Sequence, residues 1–198
     1  MTVLRTPKAG PDRTWSDRRL VDACLAGDSD AWSALLAKYK NLIYSIPLKF
    51  GASADDANDV FQAVCIELYN GLPSLRQVDS LPGWIATVAR HRSYHWKRER
   101  LQRFHREGTD LDDAPAERLA GTDDDVIEQA QQEQGIRDAV ADLNERCRRL
   151  VELLFFEQPP RPYAEIAEEL GLATGSIGFI RGRCLKKLQS QLRRAGLA

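Results

Sequence analysis

The chain has 198 residues, enough for one mid-sized domain or two small ones, and its 43% hydrophobic and 29% charged residues suit a soluble globular protein. No apolar run approaches the ~20 residues that span a bilayer, and the opening MTVLRTPKAGPDRTWSD lacks the apolar core of a secretory signal, so a cytoplasmic protein without membrane insertion is expected. The formal net charge of −1 hides a strong segregation: residues 90–106 carry +6, residues 107–133 carry −9 and residues 181–194 carry +6. Two basic stretches separated by an acidic one point to anionic partners more than the sum does.

Cys24, Cys65, Cys147 and Cys184 are far apart, with no C-x-x-C pair and no His beside any of them. This spacing predicts buried free thiols in a reducing compartment, and neither a zinc site nor a disulfide framework.

Residues 1–15, with Pro7, Gly10 and Pro11, read as a disordered tail. A first helix is predicted over 16–26, with Ser16 as N-cap and Gly27 past its end. Asp28 caps a second, in which Trp32, Leu35, Leu36, Tyr39, Leu42 and Ile43 recur at helical spacing, and Pro47 is expected to bend or end it before Gly51. A third starts near Ser53 and shows Val60, Phe61, Val64, Ile66, Leu68 and Tyr69 before Gly71; residues 72–81 read as a loop. A fourth begins near residues 80–82, where Pro82 suits a first turn, and continues through Trp84, Ile85, Val88 and Ala89 into the first basic run. Residues 106–132 are acidic and poor in large apolar groups, a composition that reads as a linker with a helix starting near Val126. A second helical domain follows over 133–198. No strand-like alternation occurs, so the fold class is all-α: two small helical domains, 16–105 and 133–198, joined by an acidic linker.

The sharpest local signal is YAEIAEELGLATGSI over residues 163–177. It reads as a helix, a tight turn at Gly171 and a new helix capped by Thr174, the layout of a helix-turn-helix whose second helix enters a major groove. Thr174, Ser176, Phe179, Arg181, Arg183, Lys186 and Lys187 are the candidate DNA contacts there. The second constellation lies in residues 84–100, where Trp84, Tyr94 and Trp96 interleave with Arg90, Arg92, Lys97, Arg98 and Arg100. Flat rings stack on exposed bases while cations track the backbone, which suits single-stranded DNA; Trp84 is assigned to the core. His91 and His95 stand at i, i+4, but with no third ligand nearby and seven surrounding cations no metal is expected. No nucleophile–base set and no Gly-rich phosphate loop is present, so neither enzymatic activity nor a cofactor is expected.

Taken in order, these segments resemble the extracytoplasmic-function sigma factors of the sigma-70 family, over about 17–105 and 133–194. DDANDVFQAVCIELY (55–69) looks like region 2.2, residues 82–100 like regions 2.3 and 2.4, VADLNERCRRLVELL (140–154) like region 4.1, and residues 162–188 like region 4.2. The resemblance implies a promoter-specificity subunit. Asp56, Asp59, Gln62 and Glu67 would dock on the clamp helices of the largest subunit of core RNA polymerase, and region 4 would meet the β-subunit flap. Arg90, His91, Arg92, Tyr94, Lys97 and Arg98 would melt and hold the −10 element of promoter DNA, and the helix-turn-helix would read the −35 element. An anti-sigma factor is the inhibitory partner of many relatives. The sequence departs from the family where Ala63 follows Gln62, where His91 stands for a common Asn in a base-capturing loop, and where Gly178, Phe179 and Ile180 replace Lys, Ser and Arg. Two other classes compete: a helix-turn-helix regulator acting without polymerase, and a module that titrates another regulator.

Overall fold

The computed structural model describes residues 10–106 and 123–197, and every regular element among them is helical. The chain divides into two compact units, Met1–Gln131 and Gln132–Ala198.

In the first unit, α1 (Asp17–Leu25) and α2 (Ser29–Lys49) start at the caps their sequences provide. Ser16 accepts from the Arg19 N–H, and Asp28 accepts from the N–H groups of Asp30 and Ala31 at 2.9 and 3.1 Å. Gly27 and Gly51 adopt φ of 87° and 85° directly after the two helices, the left-handed conformation that closes a C-terminus. Pro47 lies inside the last turn of α2, and the helix continues two residues beyond it. α3 (Ala54–Gly71) is capped by Ser53. Two 3-10 turns, Leu72–Ser74 and Val78–Ser80, occupy the segment expected to be a loop and lead into α4 (Leu81–Arg106).

The core is the helical rows facing inward: Leu35, Tyr39, Leu42, Ile43 and Ile46 of α2, Val60, Val64 and Leu68 of α3, and Ile85 and Ala89 of α4. Gly71 fixes the α3–α4 approach, because a Cβ there would lie 2.7 Å from the Trp84 ring. Trp84 packs against this core, as its assignment anticipated.

Part of the expected tail is ordered. Trp15 packs on the core, the Arg19 guanidinium lies 3.2 Å from its ring centroid, and Lys38 bridges the Trp15 carbonyl (3.2 Å) and Asp17 (2.7 Å). Residues 1–9 of that reading, and 107–122 of the expected linker, lie outside the described residues. The linker's later part is helix α5 (Asp123–Ala141), and its Val126 and Ala130 are buried in the core of the first unit.

The second unit contains the end of α5, then α6 (Glu145–Phe155), α7 (Tyr163–Glu169) and α8 (Ile177–Arg194). Leu150, Val151, Leu153, Ile166, Ala167 and Ile177 form its core. Here the structure corrects the expectation of free thiols throughout: Cys147 of α6 and Cys184 of α8 form a disulfide, their Cα atoms 5.3 Å apart. The two cysteines are 37 residues apart, and only the packing of α8 on α6 brings them together. Cys24 and Cys65 are free, and burial pushes the Cys24 thiol up to about 11 and that of Cys65 upward as well. Neither is poised as a thiolate.

Candidate nucleic-acid and protein interface

On α3 the buried residues Ala57, Val60, Val64 and Leu68 define the inner row, and the remaining residues divide into two flanks. Asp55, the adjacent Asn58 and Asp59, Gln62, Ile66 and Tyr69 follow one another by successive turns of the helix and are exposed, forming one open stripe. Ile66 and Tyr69 are 63% and 65% exposed, large apolar groups that a folded chain leaves in water only at some cost. Residue type alone counts both in the apolar pattern of α3. The signal that separates them is phase: Ile66 falls midway between Val64 and Leu68, across the helix from their row.

Of the four residues assigned to polymerase docking, Asp59 and Gln62 lie on this stripe. Asp56 and Glu67 lie on the flank turned toward α4. Glu67 accepts a charge-assisted hydrogen bond from Arg92 of α4. Asp56 accepts from the Ser53 hydroxyl at 2.6 Å, and its carboxyl is held below the usual carboxylate range first by that bond and next by the Trp96 indole, with Arg100 adding a smaller attraction.

On α4 the inward row is Ile85, Ala89, Ser93 and Trp96, with Ser93 satisfied by the Ala89 carbonyl at 2.7 Å. Trp96 is therefore a core residue, 8% exposed, with the Arg100 guanidinium 5.3 Å from its ring centroid. This corrects its assignment as a base-stacking ring: the helical period that exposes Tyr94 turns Trp96 inward. Arg92 is likewise on the α3 side. The outward face presents His91, Tyr94 and Arg98, with half-buried Arg90 and Lys97 at its margin, and Tyr94 is 58% exposed. Arg90, His91, Tyr94 and His95 line an open cavity of about 400 Å³. His91 sits mid-helix, whereas the resemblance puts it in a loop. Arg90 also meets Asp124 of α5 at 3.2 Å.

In the second unit, Gly171 turns with φ 61° directly after α7, as the helix-turn-helix reading requires. Thr174 does not cap α8. A 3-10 turn, Thr174–Ser176, intervenes, with no side-chain cap bond at either its start or that of α8. Ile177 and Cys184 face the core; Phe179, Arg183, Lys186 and Lys187 are exposed on the outer side. Arg181 lies on the flank toward α7 and donates to the Tyr163 hydroxyl at 2.6 Å. Thr174 is exposed and Ser176 half-buried. A brace of ions sets α7: Glu169 accepts from Arg149 and from Arg161, each at 2.6 Å, and the two guanidiniums hold its carboxyl below the usual range, Arg161 first.

Each unit thus carries a cationic helix face, and the first adds an acidic and apolar stripe on α3. A family match falls within the first unit. Residues 35–103 match the sigma-70 region 2 family. The RNA polymerase sigma-H factor of Pseudomonas aeruginosa is 30% identical over 73 residues, a match that takes in 37% of this chain and only 38% of that protein. The solved structure of CnrH in complex with the cytosolic domain of CnrY aligns with 90% of this chain and 97% of its own at 17% identity, with a TM-score of 0.38, too low to bear on fold or function. The family match thus covers most of α2, all of α3 and nearly all of α4, and the chain spans well under half the length of the sigma-H relative.

Proposed function

We propose that this chain is a cytoplasmic RNA polymerase sigma factor of the extracytoplasmic-function type: a subunit, not an enzyme, that directs core polymerase to particular promoters and helps melt them. The observation that carries the reading is the pairing of two unlike surfaces within the matched segment. The α3 stripe, with Asp59, Gln62, Ile66 and Tyr69, suits a protein partner, the clamp helices of the largest core subunit. The outward face of α4 suits an unpaired strand, with Arg90, Lys97 and Arg98 for phosphates and Tyr94 and His91 for a base. Holding an extruded base there offsets an unstacking cost on the order of a few kcal/mol without ATP. Residues 16–105 act as region 2 and 133–198 as region 4, in which α7 and α8 read the −35 element as a duplex and the domain meets the β-subunit flap. An anti-sigma factor is proposed as a further partner on the sequence resemblance alone.

The test is transcription of fragmented genomic DNA from the same organism by purified core polymerase with and without the chain. Discrete, chain-dependent start sites are expected. Arg90→Ala with Tyr94→Ala should lower initiation at least tenfold, while promoter complexes of the variant holoenzyme keep their −35 footprint. Specific duplex binding by the chain alone, with no core-dependent initiation, would establish instead a helix-turn-helix regulator that is not a polymerase subunit.

A further inference from the structure

Phe179 is the most exposed large apolar side chain among the described residues, at 71%. It lies in the first turn of α8, directly across the helix from the buried Ile177 and Cys184, so packing within the unit gives it no role. Phe179, Arg183, Lys186 and Ser190 succeed one another at four- and three-residue steps along the outermost row. The Arg183 guanidinium lies 5.9 Å from the Phe179 ring centroid. Gly178 and Gly182 flank this pair, and a Cβ added to either would meet nothing within 4 Å. The ring therefore stands beside a bare strip of backbone one turn long, which lets a groove wall approach it closely on that side. α8 contains no acid, which favours a polyanion over a protein as the partner that covers this face.

A major groove offers one apolar feature on its floor, the C5-methyl of thymine; every other base edge there presents donors or acceptors. The first turns of a recognition helix are the part that meets base edges. The two arginines beside Phe179 differ in engagement: Arg181 donates to Tyr163 on the α7 side, while Arg183 lies on the row of Phe179 with its guanidinium beside the ring. A guanidinium so placed is suited to the O6 and N7 of guanine.

We infer that Phe179 is a specificity-determining residue that packs on a thymine methyl in the −35 major groove, with Arg183 reading a neighbouring guanine. The inference rests on the reading of α8 as the helix that enters promoter duplex. Arg181, held by Tyr163, serves the phosphate backbone.

The experiment uses the holoenzyme of this chain with core polymerase on a promoter whose start site has been mapped. Each thymine of both −35 strands is replaced in turn by deoxyuridine, which removes only the methyl. For the wild-type chain, one position should lose about fourfold in affinity, the value of one buried methyl-sized group. Phe179→Ala should bind the thymine promoter about as weakly as wild type binds the uracil one, and should be indifferent to the replacement. Phe179→Leu, which keeps an apolar side chain, should retain part of the discrimination, and thermal melts of both variants check that α8 is folded. No methyl-sensitive position in the wild type, or the same sensitivity in Phe179→Ala, overturns the inference while leaving the sigma reading intact. A fall in core affinity of Phe179→Ala with methyl sensitivity unchanged would assign the ring to a protein contact and overturn it too. No core-dependent initiation by the wild type overturns the sigma reading, and the inference falls with it.

Discussion

Asp56 holds the start of α3, on the flank turned toward α4. Its own N–H donates to the Ser53 hydroxyl at 3.1 Å, and that hydroxyl donates back to its Oδ2 at 2.6 Å, closing the first turn of the helix. Because these contacts favour the charged form, the folded-state pKa lies below the unfolded one. The contribution is complete above the ordinary carboxylate pKa and is lost as pH falls through the lowered folded value. Thermal melts across the acid range should therefore show a shallower decline for Asp56→Asn than for the wild type; parallel declines would mean that Asp56 carries none of the acid sensitivity. Glu67 and Arg92, which the resemblance assigns to separate partners, pair with each other between α3 and α4.

At the scale of elements, α8 is held by its disulfide, by a short apolar row of which Ile177 and Cys184 are the fully buried members, and by hydrogen bonds from Arg181 to Tyr163 and from Gln191 to the Asp142 carbonyl. The bond closes a loop between residues 37 apart in a unit whose core is small. Loop-closure entropy for that separation is worth about 3–4 kcal/mol. Cys147→Ser with Cys184→Ser, or treatment of the wild type with a thiol reductant, should lower the unfolding midpoint of the second unit, followed by near-ultraviolet circular dichroism, while leaving the first unit's transition in place. A midpoint indifferent to reductant would show that the thiols are adjacent but unbonded in solution. The Arg149–Glu169–Arg161 brace fixes α7 by exposed ion pairs, which salt weakens, so α7 depends on ionic strength more than α8 does.

At the scale of the whole chain the charge segregation acquires a structural anchor. Val126 and Ala130 bury the start of α5 in the first core, and Asp124 reaches Arg90 on the proposed strand-binding face. One exposed pair contributes at most about 1 kcal/mol, so any masking by the acidic stretch depends on the several acids together. Neutralising Asp110, Asp112, Asp113 and Asp123–Asp125 to the amides should raise the affinity of the free chain for single-stranded DNA at low salt, with the difference shrinking as salt screens both forms. Unchanged affinity in a fluorescence titration would leave the acidic stretch a spacer. Among the described residues, no helix is long and apolar enough to cross a membrane.

The sequence by itself determined the helices, the caps at Ser16 and Asp28, the turn at Gly171 and the two cationic runs, because hydrophobic period, capping residues and charge are local properties. It also carried the family resemblance, through four motifs in order. The tertiary structure decided which side of each helix is free. Tyr94 and Trp96 are two residues apart in one basic run, and only the approach of α3 along α4 makes one a surface ring and the other a core residue. Ile66 belongs by type to the apolar pattern of α3, yet its phase puts it outside once Val60, Val64 and Leu68 are committed inward. Asp56 and Glu67 look like Asp59 in the sequence and differ only in facing α4. The Cys147–Cys184 bond was illegible for the same reason: nothing local to either cysteine records that α6 and α8 meet there. Helical period fixes the spacing of a face, whereas the rotation of that face toward core or solvent is set by the neighbours that pack against it.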